Sequence, residues 1–348
     1  EPWEYRSKPA WQRLVIISGG IIVNLILGFA IYMMVAFVWG KTVLTNENLP
    51  AGFEVAEVMK SYGFNDGDKI LKVNGDDIEN VIDINKFLFL RDINSVTVER
   101  YNGIKENISI PENIGTIMFE NGAMNAFVPL VPAVIDSIVP DSPAYNASLV
   151  KGDKIIKVNG NDIIKWQDFT ELVKLNTSSN ISIEIERGGD VISKLIPLNE
   201  DKKIGVSVLL PKIVPTKIEY SFFESINEGY QMAYWTLTDY IGQFKYVFTK
   251  KGASQLGGFG AIGSLFPATW NWKGFWETTA LISIILAFMN ALPIPALDGG
   301  HAMFLFYEML TGRKPNDKIV GYAQMLGFFL LIALVLFANG NDLYRWLF

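Results

Sequence analysis

The sequence contains no cysteine and only one histidine, His301, among 348 residues. The absence of cysteine excludes disulfides, thiolate metal sites and cysteine nucleophiles. A single histidine falls short of a zinc site, which usually takes three protein ligands and a water. Charge is also scarce: the net charge is −6, and no stripe of lysine and arginine is available to neutralise phosphates. The sequence therefore predicts that the protein does not bind nucleic acid.

Apolar residues are abundant instead, making up half of the chain, with 13% aromatic residues. Three stretches, residues 14–39, 275–297 and 319–338, are long and apolar enough to cross a bilayer, which takes ~20 residues. They predict a polytopic α-helical membrane protein in contact with the lipid bilayer. The chain starts at Glu1 without a methionine and has no signal-peptide pattern. We expect it to begin part-way through a gene product.

The basic residues predict an orientation, because lysine and arginine concentrate in short cytoplasmic segments. One group of them lies before the first span, within residues 1–13, and the other lies in the loop between the second and third spans. Residues 1–13 are thus predicted to be a cytoplasmic lead-in, and the long region between the first two spans to lie outside. The basic residues concerned are Arg6, Lys8, Arg13, Arg313, Lys314 and Lys318.

The outside region contains an internal repeat. The segment Gly67-Asp-Lys-Ile-Leu-Lys-Val-Asn-Gly-Asp-Asp-Ile78 recurs at residues 152–163 with two substitutions over twelve positions. In each copy a Gly-Asp turn precedes an alternating strand and an Asn-Gly turn, which favours positive φ. A helical pattern and a further strand with a glycine-containing turn follow in both. Two copies of one β-rich domain are the simplest explanation.

This signature and order of elements resemble the PDZ domain as it occurs in bacterial proteases, over residues 50–115 and 130–210. The fold class expected is a helical membrane protein with two inserted β-rich PDZ domains, an α+β arrangement. PDZ domains bind peptides by adding a strand to a sheet edge. A spacer or size filter without peptide binding is the alternative. The second copy has Ser142-Pro-Ala144 where the first has Ser61-Tyr-Gly-Phe64, which leaves a different or closed groove as an alternative for the first.

A further periodic segment, residues 221–250, places aromatic and aliphatic residues on one helical stripe. It predicts an amphipathic helix that lies on the outer membrane face or packs over the spans. Docking on one of the repeats is an equally acceptable alternative.

The second span ends in Asn290-Ala-Leu-Pro-Ile-Pro-Ala-Leu-Asp298-Gly-Gly. An unpaired charge within a bilayer costs at least ~2.5 to 3.5 kcal/mol, so Asp298 is a candidate metal, proton or substrate group. Three interpretations stay open for it: a helix N-cap, an ion-pair partner and a metal ligand. His301, three residues on, is a candidate to share such a metal. Asn290, and Asn24 in the first span, could equally form interhelical hydrogen bonds.

The Asn-x-x-Pro-x-Pro-x-Leu-Asp-Gly motif is similar to the third-ligand motif of the site-2 proteases, zinc metalloproteases that cut transmembrane segments. The Gly20-x-x-x-Asn24 span, the tandem PDZ insert and the Gly-rich stretch precede it in the family's order, which is closest to the RseP-type branch. The resemblance implies Zn²⁺ bound by Asp298, substrate positioning by Asn290, and substrate contacts from Asn24, Pro293 and Pro295. It also implies a bacterial inner (cytoplasmic) membrane enzyme that cleaves membrane-anchored regulators such as anti-sigma factors, with PDZ domains gating access.

The chain departs from that family in one important respect, since it has no His-Glu-x-x-His motif. In the family this motif supplies two zinc ligands and the base that polarises the zinc-bound water. We expect it on a helix upstream of Glu1. Smaller departures are Gly20-Ile21 and Gly258-Phe259-Gly260, where relatives often have Gly-Pro and Ser-Gly-Pro. The alternative function is a membrane-anchored PDZ peptide-binding scaffold, or a pseudoprotease without catalysis.

Overall fold

The computed structural model describes residues 4–198 and 201–347. They form two compact units, one made of the residues up to Lys41 together with those from Lys217 onward, and the other of Thr42–Thr216. The chain passes between the units within two short strands, β1 (Lys41–Val43) and the last strand of the chain, Thr216–Ile218. Each unit is described by itself below, in chain order.

The first unit begins with a single 3-10 turn, Tyr5–Ser7, and the long helix α1 (Ala10–Trp39). Thirty residues at 1.5 Å each make α1 about 45 Å long, more than the ~30 Å hydrocarbon core of a bilayer. The helix starts four residues before the predicted span and ends with it. Gly40 terminates α1 with a φ of +68°, a conformation that glycine adopts without strain.

The first repeat contains a four-stranded antiparallel sheet and a separate two-stranded pair. Strand order in the larger sheet is β4-β3-β5-β6, while β2 pairs with β7. Phe53, Phe64 and Phe127 are fully buried at its centre, and Phe127 makes edge-to-face contacts with the other two rings. Its elements are β2 (Phe53–Val55), α2 (Glu57–Lys60), β3 (Lys69–Val73), β4 (Asp76–Asp77), α3 (Ile84–Leu90), β5 (Ser95–Glu99), β6 (Lys105–Ser109), α4 (Ile114–Glu120) and β7 (Phe127–Pro129).

The second repeat has the same topology, with the larger sheet ordered β10-β9-β11-β12 and the pair β13-β8. Its core is aliphatic, with Ile135, Ile155 and Ile181 fully buried. Its elements are β8 (Ile135–Ile138), α5 (Pro143–Asn146), β9 (Lys154–Val158), β10 (Asn161–Asp162), α6 (Trp166–Leu175), β11 (Asn180–Arg187), β12 (Asp190–Pro197) and β13 (Val206–Val208), after which β14 (Thr216–Ile218) ends the unit.

Turn chemistry explains why the two repeats share this topology. The Asn-Gly pairs at Asn74 and Asn159 have positive φ at both residues, as a tight two-residue hairpin turn requires. Strands β3 and β9 precede them where the alternating pattern predicts strands. The repeats are joined by Lys165, whose Nζ lies 2.9 Å from Glu54 Oε1 and 3.1 Å from Asp66 Oδ2.

The repeats differ at the aspartate of their shared Gly-Asp turn. Arg187 Nε and Nη2 donate to the two carboxylate oxygens of Asp153, at 2.6 and 2.7 Å. Arg100 reaches Asp68 only through Nη1, because its Nε and Nη2 donate to Glu106. Asp68 Oδ1 is consequently buried without a hydrogen-bond partner.

The pKa values of the two carboxyls follow this difference. Burial acts to raise the pKa of Asp153, but hydrogen bonds from Arg187 and the Val150 N–H outweigh it and lower the pKa overall. For Asp68 burial prevails over the hydrogen bonds from Asn65 and Arg100, so its pKa is raised. Folding therefore favours the charged form of one aspartate and disfavours that of the other.

The first unit is completed by six helices: α7 (Phe222–Val247), α8 (Lys250–Gln255), α9 (Phe259–Ser264), α10 (Trp272–Ala291), α11 (Asp298–Thr311) and α12 (Asp317–Leu347). Together α1, α10 and α12 are the described helices long and apolar enough to cross a membrane. Helix α10 ends six residues before the predicted span does, and α12 extends nine residues beyond its predicted span.

Helix α7 begins with a capping box in which Ser221 and Glu224 bond to each other's backbone N–H. It packs against α1 and α10, with Tyr230 against Phe29 and Tyr240 against Phe288. Packing over the predicted spans is therefore the arrangement observed for this amphipathic helix.

Candidate active site

The loop between α10 and α11, residues 292–297, carries both prolines of the motif. Leu292 has an extended conformation, with ψ of 141°, because the ring of Pro293 disfavours a helical residue before it. Two bonds hold the loop, from Ile294 N to Leu292 O at 2.7 Å and from Leu297 N to Ile294 O at 3.0 Å. Ala296 adopts a φ of +88°, which is strained for a residue with a Cβ. Alanine at this position indicates that the surrounding packing imposes the conformation.

Three glycines provide that packing. A Cβ on Gly299 would lie 2.5 Å from Ala291 O, and one on Gly300 would lie 2.7 Å from Pro295 Cα. A Cβ on Gly327, in α12, would overlap the carbonyl of Pro295. The Gly-Gly pair after Asp298 and a glycine of α12 are thus required by the close approach of the loop.

Asp298 is the first residue of α11, not its N-cap as composition alone suggested. The cap is Leu297, whose backbone is extended and which makes no side-chain cap bond. Asp298 is half-buried, and its Oδ2 lies 3.7 Å from where a Cβ would stand on Gly20 of α1. Across residues 4–198 and 201–347, no hydrogen bond or ion pair reaches this carboxylate. The capping interpretation is therefore wrong, and no ion pair is seen within the described residues. In that part of the chain the Asp298 carboxylate is unpaired and faces α1.

The two asparagines lie on the helices that border this position. Asn24 is one helical turn from Gly20, which places both on one face of α1. Ser283 Oγ of α10 donates to Asn24 O at 2.7 Å, so the interhelical bond uses the asparagine backbone. Asn290 lies in the last turn of α10 and is half-buried, as is Asn24. Within the described part of the chain, neither side-chain amide forms a hydrogen bond, so the purely interhelical role predicted as an alternative is not seen.

His301 is engaged at both ring nitrogens. Its Nδ1 lies 3.1 Å from Leu297 O and its Nε2 lies 2.9 Å from Gln324 Nε2 of α12. The Leu297 carbonyl can only accept and the Gln324 amide nitrogen can only donate, which indicates the tautomer with the proton on Nδ1. This arrangement does not present His301 to a metal shared with Asp298.

A neighbouring ion pair ties α1 to α11 and was not foreseen from the sequence. Arg13 Nη2 lies 2.5 Å from Glu308 Oε1, and both side chains are mostly buried. The pair borders a cavity of about 180 Å³ that is also lined by His301 and Ile17. Its 295-residue separation in sequence left no local signal. Ser283 and Gly327 were also not predicted from the sequence, although small residues are typical of helix contacts in membranes.

A zinc ion in a protein is usually held by three or four side chains that donate nitrogen, sulfur or carboxylate oxygen. Asp298 suits one ligand position, because it is an anionic oxygen donor without a competing partner. The residues described by the structure contain no group of three or more histidine, cysteine, aspartate or glutamate side chains that could hold a metal. Residues 4–198 and 201–347 thus do not form a complete zinc site by themselves.

Comparison with known proteins identifies the family of the chain. The family model of peptidase family M50 matches residues 1–334. The chain belongs to this family, the site-2 proteases, as its motifs predicted. It is 32% identical over 235 residues to the regulator of sigma E protease of Haemophilus influenzae and 30% identical over 232 residues to the regulator of sigma-E protease RseP of Escherichia coli. Each match covers 62% of this chain and 51% of the relative.

A third relative, from Rickettsia conorii, is named "Putative zinc metalloprotease RC0203" and is 31% identical over 233 residues. This match covers 61% of the chain and 63% of the relative. The chain spans about half the length of the first two relatives and somewhat more of the third.

Proposed function

We propose that the protein is an intramembrane zinc metalloprotease to which this chain contributes the carboxylate ligand, Asp298. The observation that carries the proposal is the unpaired, half-buried Asp298 carboxylate in a chain of peptidase family M50. A carboxylate without a partner beside apolar helices costs free energy, and coordination of a cation would offset that cost. The names of the relatives support the reaction class, because they describe sigma-E regulating proteases and a zinc metalloprotease.

Zinc, when bound, would act as a Lewis acid on the scissile carbonyl and lower the pKa of a bound water toward ~7. The residues of this chain have the supporting roles. Asp298 would hold the ion from the first turn of α11. The free amides of Asn290 and Asn24 would donate to and accept from the backbone of the substrate. Pro293 and Pro295 would shape the loop beside it.

The remaining ligands and the general base are proposed to come from a His-Glu-x-x-His motif outside these 348 residues. The sequence holds a single histidine, His301. Both nitrogens of its ring are hydrogen-bonded, one to Leu297 O and the other to Gln324 Nε2. One turn of helix would bring the two histidines of such a motif to the same face.

The proposed substrates are transmembrane segments of membrane-anchored regulators such as anti-sigma factors. We propose that the enzyme lies in the bacterial inner membrane with both repeats on the extracytoplasmic side. The basic residues lie before the first span and between the second and third spans, and these ends of the spans are expected to face the cytoplasm. We propose that both repeats are PDZ domains that gate access of substrates. Their shared topology and Asn-Gly turns support this assignment.

A membrane-anchored peptide-binding scaffold is the second candidate. One observation favours it: the sheets of both β-rich repeats are complete, whereas the single histidine of the chain is too few for a usual zinc site. Sequencing the coding region upstream of Glu1 separates the two functions. A His-Glu-x-x-His motif on an apolar stretch supports the protease, whereas its absence supports the scaffold.

Zinc analysis of the full gene product tests the ligand assignment. We expect Asp298→Asn to lower the bound zinc and abolish cleavage of a tethered transmembrane substrate. Asp317→Asn is the matched control, because Asp317 is likewise the first residue of a helix, α12. Zinc retained at the wild-type level by Asp298→Asn, or lost equally from both variants, would refute the assignment.

A further inference from the structure

The cavity beside the Arg13–Glu308 pair lies where α1 and α12 begin and α11 ends. Each of these helices contributes a charged residue to the cavity wall and, one turn further from that end of the helix, an apolar residue. The pairs are Arg13 and Ile17 of α1, Glu308 and Phe304 of α11, and Asp317 and Val320 of α12. Residues one turn apart lie above one another on the same face of a helix. The wall is therefore charged at one end and apolar at the other.

Exposed aromatic side chains surround the level of this cavity. Trp11, Tyr307 and Tyr322 are at least half exposed, and each lies within two residues of a residue in the cavity wall. Tryptophan and tyrosine are enriched where the headgroups of a bilayer meet its hydrocarbon. Two of the three helices, α1 and α12, are long and apolar enough to cross a membrane. The charged end of the cavity is therefore at the headgroup level, and its apolar end is toward the hydrocarbon.

The charged end holds unused hydrogen-bonding groups of both signs. Arg13 donates through Nε to Lys8 O and through Nη2 to Glu308 Oε1. Among the residues that the structure describes, Arg13 Nη1 and Glu308 Oε2 have no hydrogen-bond partner. The side chains of Lys314 and Asp317 also line the cavity and, in the same part of the chain, form no hydrogen bond or ion pair. The cavity thus presents two cations and two carboxylates, which carry no net charge together.

We propose that this cavity binds the headgroup of a zwitterionic phospholipid that ends in a primary ammonium, phosphatidylethanolamine. Its phosphate would accept hydrogen bonds from Arg13 Nη1 and Lys314 Nζ, and its ammonium would donate to Glu308 Oε2. The volume of about 180 Å³ is below the ~300 to 1,000 Å³ of pockets for whole drug-sized ligands, so it suits a headgroup alone. The acyl chains would lie outside, on exposed apolar residues next to the cavity such as Ile16 and Ile319.

The charge balance of the cavity selects this headgroup over two others. Phosphatidylglycerol has a negative phosphate and no cation, so the two carboxylates would repel it without a compensating contact. Phosphatidylcholine ends in a quaternary ammonium, which has no N–H to donate, whereas a primary ammonium has three. The inference depends on the membrane spans and holds whether or not the chain is part of a protease.

Lipid retention by the full gene product tests the site. The delipidated protein in detergent micelles is mixed with equal amounts of dioleoyl phosphatidylethanolamine, phosphatidylcholine and phosphatidylglycerol, and the adducts are weighed by native mass spectrometry. We expect the phosphatidylethanolamine adduct to exceed each of the others about fivefold or more, the factor for a hydrogen bond. Equal retention of the three lipids would overturn the inference.

Two substitutions with opposite effects on charge make the test specific. Lys314→Gln should reduce the phosphatidylethanolamine adduct about tenfold, the factor for a hydrogen bond to a charged group. Glu308→Gln leaves Arg13 and Lys314 with one carboxylate fewer, so the preferred lipid should change to phosphatidylglycerol. The matched controls are Arg313→Gln, exposed and adjacent to Lys314, and Glu277→Gln of α10, because neither residue lines the cavity. An unchanged preference in Glu308→Gln, or equal effects of the controls, would contradict the proposal.

Two further measurements address other occupants. Free O-phosphoethanolamine at the lipid concentration should not displace the lipid, because it has no acyl chains for the apolar surface. Displacement would assign the cavity to a soluble phosphate ester and overturn the lipid site. No adduct on the full gene product would mean that another part of that product fills the cavity, and would overturn it equally. Circular dichroism and the unfolding temperature without lipid verify the fold of each variant.

Zinc content separates this inference from the proposed protease activity. Lys314→Gln should keep its zinc while it loses the lipid. Lipid retention that ignores Lys314→Gln, with zinc lost from Asp298→Asn, would refute only the lipid site. Lipid retention that follows Lys314→Gln while Asp298→Asn keeps its zinc would refute only the ligand assignment.

Discussion

Replacing Gly28 with alanine should force α1 away from α10. A Cβ on Gly28 would stand 2.6 Å from Ile284 Cγ1 and 3.3 Å from Ala280 O. Carbon atoms in good contact are ~3.5 to 4.0 Å apart, so the methyl group and Ile284 must separate by roughly 1 Å. Ile284 is fully buried and β-branched, and it has few other rotamers to adopt. The helices themselves must therefore move.

Gly19, on the same helix, is the matched control, because a Cβ there would meet nothing within 4 Å. Both substitutions gain the same helix propensity, about 0.5 to 1 kcal/mol. The difference between the two variants then isolates the cost of the overlap, which is about 1 to 3 kcal/mol for an overfilled core. We expect Gly19→Ala to be slightly more stable than wild type and Gly28→Ala to be less stable than Gly19→Ala by that amount.

Reversible unfolding of the full chain in detergent micelles measures this difference. Cysteine cross-linking gives a second readout, since the chain has no cysteine of its own. A pair introduced across α1 and α10 should cross-link more slowly in Gly28→Ala. Equal stabilities of the two alanine variants would refute the close contact between these helices.

Three other outcomes are expected. Asp153→Asn should lower the unfolding temperature at pH 7 more than Asp68→Asn. Below pH ~4, near the pKa of a free aspartate, the difference in unfolding temperature between the two variants should become smaller. The reason is that stability from the lowered pKa of Asp153 is lost as the pH falls through that pKa, whereas stability from the raised pKa of Asp68 is lost as the pH rises through its pKa. Melting curves recorded across this pH range measure both effects. Gly327→Ala should displace the Pro295 loop and reduce zinc binding of the full gene product, while Gly321→Ala, with open space around it, should not. Asp342→Ala should speed proteolysis at the start of α9, because Asp342 Oδ2 accepts from the N–H groups of Gly258, the N-cap, and Ala261, in the first turn.

The repeats could be predicted because their signals are local. A Gly-Asp turn, an alternating strand and an Asn-Gly pair specify a hairpin within twelve residues, and β3 and β9 follow that pattern. The family was predicted for the same reason, since its motif is contiguous. By contrast, the partner of Asn85 is Phe127, 42 residues away, and no periodicity within α3 predicts it.

The candidate site shows the limit of local reasoning more clearly. Asp298 near a Gly-Gly pair resembles a helix cap, yet the chain places Leu297 at the cap and directs the carboxylate to Gly20. That direction depends on how α11 packs against α1. The predicted second span ran through the loop because leucine, isoleucine and proline are apolar in a helix and outside one. Hydropathy predicts what a bilayer accepts, not where a helix ends.

In the first repeat, Asn85 of helix α3 acts as a ligand tethered to its own domain: its Oδ1 accepts from Phe127 N at 2.9 Å and its Nδ2 donates to Phe127 O at 2.7 Å. A tethered group competes at its effective concentration, which reaches millimolar for flexible linkers and is higher for a group fixed on a helix. A free group must exceed that effective concentration before it displaces Asn85 from Phe127. The backbone of Phe127 is therefore kept paired by its own chain.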